Sequence, residues 1–467
     1  MKNLGDALGD RRRFLKESAF GLGTLAFGHL LRAQDRSSPP HFPSTAKSVI
    51  FLFMAGAPSQ LDLYDPKPSM RRWHGEPVPP SLLKNLHDPI IRGSARVMAS
   101  PRTFIRHGAC GLELSDYLPH LGTVADEICL IRSMWTDQSN HHPAQLALNC
   151  GTAFAGHPSM GSWVTYGLGS QNANLPAFAV LLSTYRKGPE GGAQNWTSGF
   201  LPSPYRGVSF RGEGDAVLHL SNPPGLGAEA QKARIEAVRE LNRERYRETL
   251  DPEISSRIAS YELAYRMQAD APELLDFSGE SAETLKSYGL TGERTRAFGR
   301  NCLLARRMVE RGVRFVQLCH SNWDDHSELD AHLKVNCEMT DQPAAALVRD
   351  LKRRGLLDQT LVVWAGEFGR TPMNEVRRGT SPGKEGRDHH PYAFSLWMAG
   401  GGIKGGLSYG ATDDLGYSVI EKPVHPHDLQ ATILHALGMD HTRLTYRFGG
   451  RDFRLTDVGG KVLHELF

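Results

Sequence analysis

Three short apolar segments in the second half of the chain dominate its hydrophobic pattern. Residues 313–319, 360–365 and 392–398 are almost uninterrupted runs of apolar side chains, which is typical of strands buried in a parallel sheet. Polar residues follow the first two runs at once, and His389 and His390 stand just before the third. Because loops at strand ends form the binding crevice of an α/β sheet, we expect a site here that holds a divalent metal ion.

The rest of the pattern predicts further strands and a set of helices. Apolar runs at residues 48–54, 127–134 and 175–182 predict three more strands. Helical spacing and helix boundary signals predict helices at residues 144–148, 228–250, 252–268, 294–310, 343–354 and 429–437. The second and third of these helices are rich in charge. We interpret them as a helical insertion near residues 225–300 that packs on one face of the sheet.

Composition narrows the class of protein. With 467 residues, 40% of them hydrophobic and 22% charged, the chain can bury the core of one large α/β domain or of two domains. The net charge is only +3, and no block of lysine and arginine occurs beyond the N-terminus, which argues against a nucleic-acid partner. The six cysteines are widely spaced without a C-x-x-C pair, which favours buried free thiols over a zinc ribbon.

The N-terminus has the form of an export signal. Three arginines at residues 11–13 precede a mildly apolar run at residues 19–31, with small residues near Ala33. The run is too short and glycine-rich for a membrane span, so cleavage is favoured over anchoring; a basic amphipathic first helix is the weaker alternative. We predict a twin-arginine signal peptide over residues 1–34, a linker over 35–46 and a single domain over 47–467. The mature protein is then periplasmic or extracellular, without a stable membrane span.

Acidic and imidazole side chains also follow two earlier strands. Asp62 and Asp65 come after the first strand. For Asp62, the pattern supports a metal-ligand role and a role in a turn or helix cap equally; for Asp65, it favours the turn or cap. His141 and His142 lie between a strand and a helix, where they could bind metal, accept a proton or cap the helix. The same loop holds Ser139, one of two hydroxyls there that could act as a nucleophile at the helix N-terminus.

Short motifs after the leader are the most distinctive features of the chain. They read GAPSQLD at residues 56–62, DPKP at 65–68, WDDH at 323–326, GEFGRTP at 366–372, GRDH at 386–389, DLQATIL at 428–434 and GGRD at 449–452. Together with the twin-arginine leader, they resemble the exported bacterial family called domain of unknown function 1501. The resemblance covers nearly the whole chain after the leader.

That family is similar to the alkaline phosphatase and sulfatase superfamily. The resemblance implies an α/β fold with a doubly wound, mostly parallel sheet of the alkaline phosphatase-like type, helices on both faces, and a hydrolytic, two-metal ancestry. His389 matches the last metal histidine of the superfamily, and Asp325 and His326 could fill other ligand positions. In the superfamily, an Asp-His pair usually ends a later strand. The corresponding residues here are Glu367 and Phe368, so the resemblance leaves only a carboxylate at this position.

The nucleophile of the superfamily has no convincing counterpart. Counted back from Gly151, the glycine that closes the helix, its place falls on His141, which is not a threonine, serine or cysteine. At least two of the expected metal ligands are missing as well. Arg370 and Arg387 remain natural clamps for an anionic ester, because a guanidinium group binds two oxygens of such a group at once.

The residues and the resemblance together predict an atypical metal site. The predicted metal ligands are Asp62, Asp325, His326, Glu367, His389 and His390. The predicted catalytic residues are His141, His142 and Arg370. One or two divalent ions of zinc, calcium or manganese would serve an anionic small-molecule or glycan substrate.

Three functions are compatible with this pattern. The first is a metal-dependent hydrolase of sulfate or phosphate esters. The second is a binding or scaffold protein on the same fold that has lost catalysis, which the missing nucleophile favours. The third, an exported oxidoreductase, is suggested by the leader alone, and no Gly-rich dinucleotide motif supports it.

Overall fold

The computed structural model describes residues 39–80, 95–183, 188–210, 227–376 and 383–467. The strands of this part of the chain are β1 (Ser48–Ala55), β2 (Phe104–His107), β3 (Leu112–Ser115), β4 (Ile128–Met134), β5 (Phe178–Ser183), β6 (Val208–Phe210), β7 (Phe315–Ser321), β8 (Thr360–Ala365), β9 (Gly369–Arg370), β10 (His389–His390), β11 (Phe394–Ala399), β12 (Leu407–Tyr409), β13 (Ala411–Thr412), β14 (Val419–Glu421), β15 (Tyr446–Phe448) and β16 (Arg451–Phe453).

The helices cover more of the described residues than the strands do. They are α1 (Gln60–Leu63), α2 (His141–Cys150), α3 (Met160–Leu168), α4 (Ala228–Thr249), α5 (Pro252–Leu275), α6 (Ala282–Ser287), α7 (Arg296–Glu310), α8 (Leu329–Arg353) and α9 (Pro426–Ala436). Short 3₁₀ helices lie at Pro68–Trp73, Leu121–Glu127, Gly192–Trp196, Ser203–Tyr205, Leu357–Gln359 and His464–Leu466.

One eight-stranded sheet forms the centre of the molecule, in the order β12-β4-β11-β8-β1-β7-β5-β6. β1 pairs in parallel with β7 on one side and with β8 on the other, and β5 pairs in parallel with β6 and β7. Only β11 runs antiparallel to its two neighbours, β4 and β8, among the strands of this sheet that the structure describes. Since parallel neighbours need crossover connections, helices must pass over the faces of the sheet.

Alternating side chains along β1 divide the core into two layers. Ile50, Leu52 and Met54 belong to a cluster that also contains residues of α7 and α8, whereas Phe51 and Phe53 belong to a cluster with residues of α3 and α9. Helices therefore cover both faces of a mostly parallel sheet. This confirms the doubly wound α/β fold that the sequence predicted.

The six predicted strands are all present, with ends shifted by no more than a few residues. The predicted start of the helix at residue 343 is wrong, because α8 already begins at Leu329 and runs through Pro343. Both halves of α8 bury apolar side chains, such as Leu333 before the proline and Leu347 after it. Tertiary packing on both sides thus offsets the loss of one helical N–H.

The segment predicted as a helical insertion contains α4 and α5, which pack against each other. None of the described side chains of α4 is fully buried, so its charges form a solvated surface. The predicted signal peptide at residues 1–34 lies outside the described residues. Of the predicted linker, residues 39–46 are described, and Thr45 hydrogen-bonds through its backbone to Ala436 at the end of α9. None of the described helices has the length and apolar character that crossing a bilayer requires.

Candidate metal centre

The carboxyl ends of the central strands bring four separate segments together. Ala55 at the end of β1 lies beside Ser321 at the end of β7, and β8 ends on the other side of β1. The segments that follow β7 and β8 meet the N-terminus of α2 and the short β9–β10 pair at this edge. These segments therefore meet at the strand ends, the region for which the sequence predicted a site.

A single carboxylate oxygen lies at the centre of a histidine cluster. Asp324 Oδ1 is 2.9 Å from His326 Nε2, 3.1 Å from His141 Nε2 and 3.3 Å from His389 Nε2. The four atoms all lie within 4.8 Å of one another. We refer to Asp324, His141, His326 and His389 as the His3Asp cluster.

The outward-facing nitrogen of each histidine has its own acceptor. His141 Nδ1 lies 2.6 Å from Glu367 Oε1, and His389 Nδ1 lies 2.8 Å from the backbone oxygen of Ser139. His326 Nδ1 contacts Glu375 Oε2. Carboxylate and carbonyl oxygens only accept, so each Nδ1 carries the proton, and each Nε2 of a neutral ring turns a lone pair toward the centre.

This arrangement fits a divalent metal ion. His326 Nε2 and His389 Nε2 are only 3.0 Å apart, and two lone pairs at that distance repel unless a proton or a metal ion lies between them. His141 Nε2 is buried and makes no hydrogen bond of good geometry despite its closeness to Asp324. Zinc commonly binds a set of three imidazole nitrogens and one carboxylate oxygen. Here an acceptor on the far side of each ring also holds that ring in place.

The charge of Asp324 follows from its neighbours. Burial acts to raise the pKa of this carboxyl, but the close contacts with His141, His326 and His389 outweigh burial and hold the pKa well below its usual range. The group is therefore a carboxylate at neutral pH. It supplies the negative charge that a divalent ion requires.

His141 and His389 differ in protonation. Burial acts to lower the pKa of His141, but its contacts with the carboxylates of Asp324 and Glu367 outweigh burial and raise the pKa to about 9. For His389, burial and the positive charge of Arg370 lower the pKa. One proton is thus held at His141 between two carboxylates, and a metal ion that binds the cluster displaces it.

Arg370 positions Asp324 from behind. Its guanidinium is fully buried and donates to Asp324 Oδ1 at 2.8 Å, to the backbone oxygen of Ala57 at 3.0 Å and to that of Arg387 at 3.0 Å. Its side chain therefore ties the ends of β1 and β10 to the cluster. It is not open to an anionic ester as the sequence predicted for a clamp.

Close backbone approach at two glycines allows the cluster to form. A Cβ atom on Gly56 would lie 2.7 Å from the backbone nitrogen of Asp324, and one on Gly386 would lie 2.0 Å from the carbonyl carbon of His326. Phe368 packs against the rings of His141 and His389, with centroid distances of 4.9 and 4.7 Å. An apolar wall thus holds two of the three imidazoles.

A small pocket opens beside the cluster. It is lined by Ala55 and Gly56 at the end of β1, His141 and Gln145 on α2, residues 188–190, and Ser321, Asn322 and Asp324 after β7. Ala57 and Asn322 have positive φ angles of 63° and 81°. Backbone strain of this kind concentrates at functional sites, so it supports a role for this end of the sheet.

A second group of ligand-type side chains adjoins the first. His326, Glu375 and Asp388 each offer one donor atom within 4.8 Å of the others. His326 is common to both groups. Burial and the nearby charge of Glu375 raise the pKa of Asp388.

Of the residues that the sequence singled out, the structure brings His141, His326 and His389 into the cluster and places Glu367 directly behind His141. Asp325 turns away, and its Oδ1 lies 3.2 Å from His332 Nδ1 on α8. The adjacent Asp324, which the sequence analysis did not select, takes the central place.

Three further predicted residues lie outside the cluster. Asp62 is buried in an ion pair with Arg387 at 2.9 Å. His390 Nε2 contacts the backbone oxygen of Tyr417 at 2.6 Å, and burial lowers its pKa to about 4. The exposed His142 contacts Gln194 at 3.0 Å.

Comparison with known proteins identifies the family of the chain. No curated protein matches the chain. Similar solved structures include the lipoteichoic acid synthase LtaP from Listeria monocytogenes (9% identity, TM-score 0.38, covering 91% of this chain and 79% of that one). The PsFucS1 sulfatase from Pseudoalteromonas sp. is 12% identical with a TM-score of 0.35, and the match covers 90% of this chain and 72% of that one. A protein of the alkaline phosphatase superfamily from Vibrio parahaemolyticus is 10% identical with a TM-score of 0.35, and the match covers 86% of this chain and 69% of that one.

These similarities concern the overall fold, at low identity. The sequence profile of one family, described as protein of unknown function (DUF1501), matches residues 46–467. The chain belongs to that family.

Proposed function

We propose that this protein is a metal-dependent hydrolase of sulfate or phosphate esters. The observation that carries the proposal is the convergence of three histidine Nε2 atoms on Asp324 Oδ1, beside a pocket at the carboxyl ends of the central strands. A group of this composition can bind a cation, and the pocket lies directly beside it.

The residues of the His3Asp cluster would hold one divalent ion, with zinc as the best fit to three nitrogens and one oxygen. Such an ion supplies Lewis-acid chemistry: it polarises an ester oxygen and makes a water molecule more acidic. Calcium fits less well, because it prefers a larger set of oxygen ligands.

The surrounding residues keep the cluster in one geometry. Glu367 accepts from His141, from Gln145 at 2.9 Å and from the backbone N–H of Gly56 at 3.0 Å. Burial acts to raise the pKa of Glu367, but His141 and Gln145 outweigh burial and lower the pKa. The group therefore stays ionised and keeps the proton of His141 on Nδ1. Pre-positioned ligands of this kind lose little freedom when the substrate binds.

Water is the proposed nucleophile. By count from Gly151, the resemblance places the superfamily's hydroxyl or thiol at His141, and the ring of His141 belongs to the cluster. In the reaction, the oxygen of water bonds to sulfur or phosphorus, the bond to the ester oxygen breaks, and the alcohol leaves with a proton.

The direct test uses zinc-loaded protein with 4-nitrophenyl phosphate and 4-nitrophenyl sulfate. We expect wild type to release nitrophenol, and His389→Ala to lower kcat/KM by at least about 100-fold, since even residues behind a ligand are worth about 10–100-fold. The control His142→Ala changes an exposed neighbour of the cluster and should match wild type. Zinc-loaded wild type that hydrolyses neither ester, nor other sulfate and phosphate esters, would instead favour a binding protein.

We also propose that the protein acts outside the cytoplasm on an anionic small molecule or glycan. The support is the arginine motif at residues 11–13 and its apolar run. Replacing Arg11 and Arg12 together by lysine should leave precursor in the cytoplasm. Normal export of that variant would refute the twin-arginine route.

A further inference from the structure

Ser321 has a buried hydroxyl without a hydrogen-bond partner. The residue ends β7 and is only 2% exposed, and its Oγ makes no hydrogen bond within the described residues. A buried hydroxyl without a partner destabilises a protein, so one that persists often serves a ligand or a water molecule.

The side chain of Ser321 faces the metal cluster. Side chains alternate along a strand, so Ser321 lies on the same face as Gln317, which donates to Asn149 on α2 at 2.9 Å. The N-terminal end of the same helix carries His141. Ser321, His141 and Asp324 accordingly line one pocket.

The positive side chains expected to bind an anion are engaged elsewhere. Arg370 donates to Asp324 and to backbone oxygens, and Arg387 donates to Asp62 and to the backbone oxygens of Met98 and Thr371. Among the pocket residues that the structure describes, none is an arginine or a lysine.

The backbone at the end of β1 does not supply the donor either. Gly56 lines the pocket, but its N–H points to Glu367 Oε1 at 3.0 Å. A hydroxyl is both donor and acceptor and can rotate toward an oxygen. Ser321 is therefore the pocket hydroxyl placed to donate to an anion.

We propose that Ser321 binds the substrate: its O–H donates a hydrogen bond to an oxygen of the sulfate or phosphate group held at the His3Asp cluster. This inference rests on the proposed function for its substrate class. It assigns anion recognition to a hydroxyl and the cluster rather than to an arginine clamp. Ser321 makes no covalent bond in this scheme.

The test is a titration of cobalt-loaded protein with inorganic phosphate. Changes in the visible absorption spectrum of the cobalt ion report binding. We expect Ser321→Ala to keep wild-type cobalt content and to raise the Kd for phosphate by about tenfold or more, the value of one hydrogen bond to a charged group. The control is Ser395→Ala, because Ser395 on β11 is also buried with an unpartnered Oγ but does not line the pocket.

Thermal unfolding separates a binding role from a structural one. Loss of an unpartnered hydroxyl should leave Tm unchanged or raise it slightly, whereas a structural serine would lower it. Phosphate binding equal in wild type and Ser321→Ala, or no phosphate binding by cobalt-loaded wild type, would overturn the inference. The phosphate-binding assay does not depend on turnover, so it still tests Ser321 if the protein hydrolyses no ester. If the protein does hydrolyse esters but Ser321→Ala leaves the Kd for phosphate unchanged, only the role of Ser321 is rejected.

Discussion

Glu367 shows at the scale of one residue how a buried carboxylate can hold a proposed metal ligand in place from behind. It is fully buried, and its Oε1 accepts from His141 Nδ1 at 2.6 Å. The carboxylate thereby fixes the tautomer that leaves His141 Nε2 free to bind. The sequence predicted this position as a direct ligand, and the structure places it one step behind.

Replacing Glu367 by glutamine should lower zinc affinity by about 10–100-fold. The amide is neutral, and one of its two ends is a donor that cannot accept the proton of His141. Competition with a chelating zinc indicator measures the change. A matched control is Glu385→Gln, because Glu385 contacts the backbone N–H of Gly383 and lies outside the cluster. Equal affinities for wild type and Glu367→Gln would contradict this role.

Asp341 makes stability depend on pH. Burial raises its pKa to about 7, although the backbone N–H groups of His120 and Leu121 donate to it at 2.7 and 2.8 Å. Because the folded pKa lies above the unfolded value, the stabilising effect of the neutral acid is complete below about pH 4 and is lost as the pH rises toward 7.

When the pH is raised from 5 to 8, the free energy of unfolding of wild type should therefore fall. The fall should be about 1–3 kcal/mol larger than in Asp341→Asn. Asparagine does not titrate. It keeps an acceptor oxygen for one of the two N–H groups, and the loss of the other hydrogen bond lowers stability equally at both pH values. Urea unfolding at the two pH values, with the metal content held constant, measures the difference. Parallel pH dependence in the two proteins would contradict the raised pKa.

At the scale of elements, the turn between α4 and α5 offers a test of backbone strain. Leu250 caps the C-terminus of α4 with φ 53° and ψ 26°, a left-handed conformation, and its side chain is 65% exposed. Leu250→Gly should raise the stability of this helical pair by about 0.5–1 kcal/mol, because glycine adopts this conformation without a steric cost.

Leu241 is the matched control for that change. It is also exposed, at 68%, but lies in the interior of α4. Leu241→Gly should therefore lower the stability by about 1 kcal/mol. Amide hydrogen exchange of residues 228–275 reports both effects. Changes of the same sign in the two variants would contradict the account of the turn.

Elements with a strong apolar pattern were predictable from the sequence, and those with a mixed pattern were not. The strand at residues 360–365 is buried on both faces, and its run of apolar residues gave both ends correctly. The hairpin of β2 and β3 was missed because each strand is only four residues long, too short for its pattern to stand out from the surrounding loop residues. The first half of α8 was missed because Pro343 normally marks the start of a helix.

At the scale of the whole molecule, the fold brings together residues that are far apart in sequence. His141 and Glu367 are 226 positions apart, and His326 and His389 are 63 apart. The sequence located the strand ends and three of the four cluster residues. It did not distinguish Asp324 from Asp325, because both follow β7 in an irregular segment where side-chain direction has no period.

That difference between two adjacent aspartates gives the most direct test of the metal site. The measurement is the metal content of the mature protein, purified without chelators, by elemental mass spectrometry of wild type, Asp324→Ala and Asp325→Ala. The structure predicts about one equivalent of a divalent metal, most readily zinc, in wild type and Asp325→Ala, and a loss of at least about tenfold in Asp324→Ala. Absence of metal from wild type even after zinc is added, or full retention in Asp324→Ala, would contradict the assignment of the His3Asp cluster as a metal centre.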